Sequence, residues 1–259
     1  MLQDFITFAL VGFGAQIVDG ALGMAYGVVS SSVLLAVGVP PSHASASVHA
    51  AEVFTTAASA SSHVAHRNVV WKMFWPLAIA GVIGGILGAY VLTSIDGDVI
   101  KPFIVAYLGV MGLVILWRAW KGPGKRGMSP KLIGPLGFVG GFCDATGGGG
   151  WGPTVTSALV GSGNSPRYSI GTVNTAEFFV TVAISAAFVA ALVTGNWKDA
   201  DGIMEHAAAV AGLVVGGVVA APLAGFVVKV LPVKLFTWIV GFLVVFLAIY
   251  QGLRLFKII

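Results

Sequence analysis

Two stretches decide the fold. Residues 11–54 read VGFGAQIVDGALGMAYGVVSSSVLLAVGVPPSHASASVHAAEVF, and residues 136–179 read LGFVGGFCDATGGGGWGPTVTSALVGSGNSPRYSIGTVNTAEFF; they align without a gap at an offset of 125 residues. Gly12, Asp19, Gly23, Gly27, Gly38, Pro41, Ala51, Glu52 and Phe54 all recur at the matching second-half positions. This is an internal duplication. Each copy places an acidic, glycine-rich break inside an apolar run, the pattern of a secondary transporter whose site forms where two repeats meet.

The composition supports a membrane location. With 57% hydrophobic and 9% charged residues and a mean hydropathy of +0.95, the chain has too little polar surface to cover a water-soluble globule of 259 residues. The first residues, MLQDFITFALVGFG, carry an acid and no basic segment, so no secretory signal is expected. A net charge of +4 would suggest nucleic acid in a soluble domain. Here the basic residues lie beside apolar runs and follow the positive-inside tendency, so no nucleic-acid partner is expected. Cys143 is the one cysteine, which excludes an internal disulfide.

Apolar runs fall at 5–37, 43–64, 73–95, 99–118, 132–161, 169–194, 203–228 and 235–253, four per half. The fold class expected is an all-α integral membrane protein with about eight transmembrane helices. The halves are 1–120 and 132–259, joined by a basic cytoplasmic linker, 121–131. The first run of each half is far longer than the ~20 residues one span needs, so each is read as two half-helices around its glycines. Charge does not separate the two topologies open to this pattern. If all eight runs cross, the linker face collects ten of the fourteen basic residues; if each broken run is a re-entrant hairpin, it again collects ten. Eight crossings is the expectation adopted.

Four acids interrupt the apolar runs. Asp19 and Asp144 open the breaks DGALGMAYG and DATGGGGWG, while Glu52 and Glu177 sit inside the next helix of each half. A carboxylate inside a bilayer costs at least ~2.5 kcal/mol, so each must be protonated, paired or turned toward a cavity. They are read as two copies of one proton-coupling constellation. Four successive glycines, Gly147 to Gly150, make poor helix, and irregular backbone at membrane depth is tolerated only where it is buried or lines a wet cavity. Free amides at the start of the following half-helix would suit an anion, helped by Thr146, Thr154 and Thr156 or by Ser30, Ser31 and Ser32. Gly23, Tyr26 and Trp151 complete the candidate pocket, the two aromatics being equivalent in the repeat and expected as opposing walls. His49 lies one turn before Glu52, where the second half has Asn174; both are read as substrate-site residues that donate hydrogen bonds to an anion or to the buried acids. HxxE spacing would begin a metal site but lacks further ligands, so no metal or other cofactor is assigned. Arg167 and the histidines His43, His63 and His66 are expected at the membrane interface.

The pieces VDGALGMAYG, VGVPPSHASASVHAAE, CDATGGGGWGP and GSGNSPRYSIGTVNTAE resemble the TauE/SafE sulfite exporter family, also called TSUP, over nearly the whole chain. The resemblance implies a multi-pass inner-membrane carrier, not an enzyme, that moves a small sulfur-containing anion such as sulfite or an organosulfonate. A divalent-metal permease or a carrier of another small anion is the alternative. Partners are then the anion and the lipid bilayer, with a homodimer as a candidate assembly. The first-half break, GALGMAYG, has fewer glycines, so the halves are not equivalent.

Overall fold

The computed structural model of the protein describes residues 2–121, 124–230 and 233–258, and among them the chain is helical throughout, with no strand. The first broken run forms α1 (Leu2–Leu22) and α2 (Tyr26–Ala36), followed by α3 (Pro41–Ala65), α4 (Trp71–Ser94) and α5 (Gly97–Lys121). The second forms α6 (Ile133–Gly147), then a wide π-type turn over Gly152–Thr156 leading into α7 (Ser157–Ser162), followed by α8 (Pro166–Val193), α9 (Ala207–Val230) and α10 (Val233–Leu255). Both breaks fall where the glycines placed them. Proline takes the first helical position of α3 and of α8, where its missing N–H is no loss.

Packing between the halves is reciprocal. α1 lies on α9 and α4 on α6, while α3 meets α8 and α5 meets α10. The contacts are so close that only glycine fits: a Cβ on Gly12 would stand 2.5 Å from the Leu213 carbonyl oxygen, and one on Gly137 2.5 Å from that of Leu77. Small residues at such contacts let helix backbones approach, the main packing device available in lipid.

These contacts also give direction. Gly212 meets Phe5 and Gly216 meets Ala9, so α1 and α9 run the same way; Gly84 meets Phe138 and Gly88 meets Phe142, so α4 and α6 do too. The end of α7 returns to the segment that precedes α6. Gly124 N donates to Val160 O (3.1 Å), Gly127 N to Ser162 O (2.8 Å) and Met128 N to Asn164 Oδ1 (2.7 Å). In the first half, Arg254 at the end of α10 donates to Ala36 O (3.1 Å), and His43 hydrogen-bonds the Asp199 carbonyl just ahead of α9, beside which α1 begins. Each broken run therefore enters and leaves on one face.

This corrects the expectation of eight crossings. The eleven residues of α2 rise about 16 Å, roughly half a hydrocarbon core of ~30 Å, so a break that turns the chain back yields a hairpin and not a span. Among the described residues six helices run from face to face: α3, α4, α5, α8, α9 and α10. Five are long and apolar enough to cross a membrane by composition; α3, 25 residues long, is more polar because its inner side carries serines, His49 and Glu52. The two hairpins enter from opposite faces.

The faces differ sharply in charge. The linker face holds Arg67, Lys72, Arg118, Lys121, Lys125, Arg126, Lys131, Arg167, Lys229 and Lys234 and no acid. The opposite face holds Lys101, Lys198, Arg254 and Lys257 with Asp4, Asp96, Asp98, Asp199, Asp201 and Glu205. The remaining four acids are those of the core. Arg167, which eight crossings would put opposite the linker, lies on the linker face, its Nε donating to Asn68 Oδ1 (2.6 Å).

Candidate functional site

The hairpin tips cross at the centre of the molecule. Gly23 and Gly148 close the first half-helix of each run with positive φ, +63° and +66°, a left-handed conformation that ends a helix cheaply only at glycine. Beyond them the breaks touch: a Cβ on Gly149 would stand 2.2 Å from the Gly27 carbonyl carbon, and one on Gly152 2.3 Å from Met24 Cα. Hydroxyls then bridge the two runs in both directions. Ser31 donates to the Gly148 carbonyl, and Thr156 Oγ1 to the Gly23 carbonyl at 3.0 Å.

Each aspartate holds its own break. Asp19 Oδ1 accepts from Ala25 N (2.8 Å) and Tyr26 N (3.3 Å); Asp144 Oδ1 accepts from Gly150 N (2.7 Å) and Trp151 N (2.9 Å). These are amides expected to be free for an anion. A carboxylate at a half-helix N-terminus satisfies orphan donors and opposes the positive end of the dipole, so the aspartates act first as caps.

Glu52, Glu177 and Asn174 join Asp19 and Tyr26 around an enclosed cavity, with Thr55, Thr56 and Ser59. Its free volume is about 10 Å³, the room of a single water. Glu52 and Glu177 lie within electrostatic reach of each other and of both aspartates. Glu52 is 3% exposed and Asp144 1%, while Asp19 is half-buried. Glu52 Oε2 and Asn174 Oδ1 are buried without a hydrogen-bond partner. His49 reaches across the halves: its Nε2 stands 3.3 Å from Asp144 Oδ2, and its Nδ1 2.8 Å from the Ser45 carbonyl. Ligand atoms of His49, Glu52 and Asp144 all lie within 4.8 Å of one another, the spacing at which a cation is shared. Three donors fall one short of a closed tetrahedral site, and one Asp144 oxygen is already engaged by amides.

Other candidates lie apart from the cavity. Trp151 does not line it: the ring is fully buried against Gly81 and Gly140, and Nε1 donates to Val173 O (3.1 Å). Tyr26 lines it and donates its hydroxyl to Leu213 O (2.9 Å), so the two aromatics are not facing walls. Thr146 bonds back to Phe142 O (2.8 Å) on its own helix. Thr154 Oγ1 meets the Met111 sulfur, and the hydroxyls of Ser30 and Ser32 are buried without partners. Gly147 and Gly150 make room for Tyr107 of α5, whose ring and hydroxyl would collide with a Cβ at either position. His43, expected at a solvated interface, is buried beside Trp197.

Sequence reasoning missed Ser45, Thr55, Thr56, Ser59 and Tyr107. A signal for the serines and Thr56 was present: Ser45, His49, Glu52, Thr56 and Ser59 follow a four-three-four-three spacing, one polar stripe along α3. Tyr107 carries no such signal, being one aromatic in an apolar run.

With this geometry in hand, comparison with known proteins is specific. The profile of the family described as Sulfite exporter TauE/SafE matches residues 8–251. The "Probable membrane transporter protein YtnM" of Bacillus subtilis (strain 168) is 42% identical over 247 residues, covering 93% of this chain and 80% of the relative. Residue for residue along nearly its whole length, the chain belongs to the TauE/SafE sulfite exporter family, a family of multi-pass membrane transporters.

Proposed function

We propose that the protein is a secondary transporter of the cell inner membrane that carries a small sulfur-containing anion, sulfite or an organosulfonate, by alternating access with proton coupling. The observation that carries this reading is the acid-lined cavity enclosed where the two broken runs cross, bounded by Asp19, Glu52, Glu177 and Asn174. At about 10 Å³ it is too small for sulfite, which fits an occluded step of a cycle whose open forms have a larger site. The two hairpins would be moving parts of two inverted repeats, residues 1–120 and 132–259, rocking about the centre.

The chemistry follows from which groups are charged. With Asp19, Glu52, Asp144 and Glu177 protonated, the cavity offers the Ser59 hydroxyl, the second amide hydrogen of Asn174 and the acids' own O–H groups as donors and no opposing charge, the hydroxyls of Tyr26, Thr55 and Thr56 being held by backbone carbonyls. Ionised, the same acids expel an anion. Binding of proton and anion is thus mutually favourable, the condition for coupled movement. The ten-to-four partition of basic residues favours the linker face as the cytoplasmic one, and with two hairpins the termini would then lie outside. Outward movement of an anion is then favoured by an inside-negative potential, about 2.3 kcal/mol per charge per 100 mV, whereas uptake draws on protons.

The test is transport by purified protein in proteoliposomes on a solid-supported membrane, challenged with sulfite, thiosulfate, isethionate, sulfoacetate and chloride, with and without a pH gradient. Currents with sulfite or a sulfonate that exceed those with chloride and respond to the gradient support the reading. No current with any sulfur anion removes it.

A further inference from the structure

The two halves of the site are built on one plan but differ in what they can hold. In both, an aspartate Oδ1 accepts two amides of its break, leaving Oδ2 for a partner from the other half. Asp144 Oδ2 meets His49 Nε2. The equivalent residue in α8, Asn174, turns instead to Ser59 Oγ (3.0 Å) and leaves its own Oδ1 unpartnered. The difference is reinforced along the helix: Ser45, one turn before His49, corresponds to Ile170, and Ser59 to Ile184.

The imidazole of His49 is fixed in one tautomer. Nδ1 is 2.8 Å from the Ser45 carbonyl oxygen, which can only accept, so Nδ1 carries a hydrogen. Nε2 of the neutral ring is then a bare lone pair, and 3.3 Å away it faces a carboxylate oxygen. Two acceptors at that distance inside a buried site repel unless a cation lies between them. We propose that His49 Nε2 and Asp144 Oδ2 share one exchangeable proton, making this pair the coupling site of the transporter, while the Asn174 side of the cavity serves the anion.

This rests on the carrier reading above and narrows it: of the protons the four acids can hold, the one that leaves and returns in each cycle is the one shared by this pair. Groups facing the pair are Glu52 one turn on in α3, with its unpartnered Oε2, Tyr107 from α5, Cys143 beside Asp144 in α6 and Glu177 from α8, while Asp19 of α1 faces Glu52 and Glu177. Phe188 of α8 closes the remaining side, its ring centroid 6.3 Å from that of His49. Glu52 is the acid nearest the pair, its carboxyl within 4.8 Å, and it also lines the cavity, so a proton relayed to it through one water reaches the anion's position.

Two measurements test the proposal. The first follows the five histidines by 15N solid-state NMR in lipid between about pH 5 and 8, His49 being the signal absent in His49→Gln. Nδ1 is expected protonated throughout, with Nε2 sharing a proton with the carboxylate, whereas in Asp144→Asn the side-chain amide can only donate its own N–H to Nε2, which then reads as an unprotonated acceptor at every pH. A bare Nδ1, or an Nε2 signal that moves with added zinc or manganese and returns with chelator, would overturn it, the second result naming a metal as the shared cation. The second measurement is the ratio of protons to sulfite moved in proteoliposomes. His49→Asn should lower that ratio from about one toward zero, whereas Asn174→Ala should slow sulfite and leave the ratio alone; the reverse pattern would overturn the proposal. If the wild type moves no sulfite the carrier reading falls by itself, and the NMR result still decides whether the pair holds a proton.

Discussion

Thr156 Oγ1 stands 3.0 Å from the carbonyl oxygen of Gly23 and donates to it across the centre of the molecule, from the second broken run to the first. The relation is mirrored by Ser31 and Gly148, residues equivalent to Thr156 and Gly23 at the 125-residue offset. Gly23 and Gly148 are buried in the core, so each hydroxyl supplies a partner that lipid cannot provide.

Thr156→Val keeps the shape and removes the donor. An orphaned buried carbonyl costs roughly 1–3 kcal/mol, so the variant should melt earlier than wild type in detergent, and Thr156→Ser should recover most of the loss. Equal melting of Val and wild type would show that the bridge contributes nothing.

Asp144 accepts two amides and should matter more than one hydroxyl does. Asp144→Ala leaves Gly150 N and Trp151 N without their partner, a loss of about 2–4 kcal/mol for two bonds to a charged group, while Asp144→Asn retains an acceptor oxygen and loses less. Thermal unfolding of the three proteins in one detergent gives the order; Asn melting as low as Ala would contradict the cap.

Gly149→Ala should fail where Gly14→Ala succeeds. The first position has φ +151° and would press a methyl to 2.2 Å from backbone of the other break; the second has nothing within 4 Å of its added carbon. Folded yield by size-exclusion chromatography distinguishes them. A well-folded Gly149→Ala protein would show that the two breaks do not pack as described.

Glu52→Gln and Glu177→Gln bear on coupling. Protonated acids accept the anion in the proposed cycle, so wild-type uptake should fall as external pH rises, and a residue fixed neutral should flatten that profile. Sulfite uptake measured from about pH 5 to 8 checks this, and wild-type profiles in both variants would remove the glutamates from the coupling path.

Much of this was legible in the sequence, and the rest was hidden for identifiable reasons. The helix ends follow the apolar runs closely, with α3 at Pro41–Ala65 where the run 43–64 lay, because proline, glycine and charge stop helices locally. That Asp19, Glu52, Asp144 and Glu177 converge was readable from the duplication, since unpaired acids do not survive in lipid. Whether the breaks cross or turn back was not, because both topologies divide the basic residues ten to four. The acids do differ between the two, six lying opposite the linker only if the hairpins turn back, but acids carry little weight in membrane orientation. Nor could the glycine runs reveal that Asp19 and Asp144 would take the amides first, or that Tyr107 would fill the space beside Gly150. These depend on contacts between elements distant in sequence.

Inversion of the halves, the crossed breaks and the closed acidic cavity all require that the second broken run leaves by the face it entered. Single cysteines at Arg126 and Asn164, in a Cys143→Ser background, report this directly through labelling by a membrane-impermeant maleimide in oriented vesicles. The account predicts that both label from one side, the side opposite a cysteine at Asp98. Labelling of Asn164→Cys from the Asp98 side, with Arg126→Cys on the other, would contradict it.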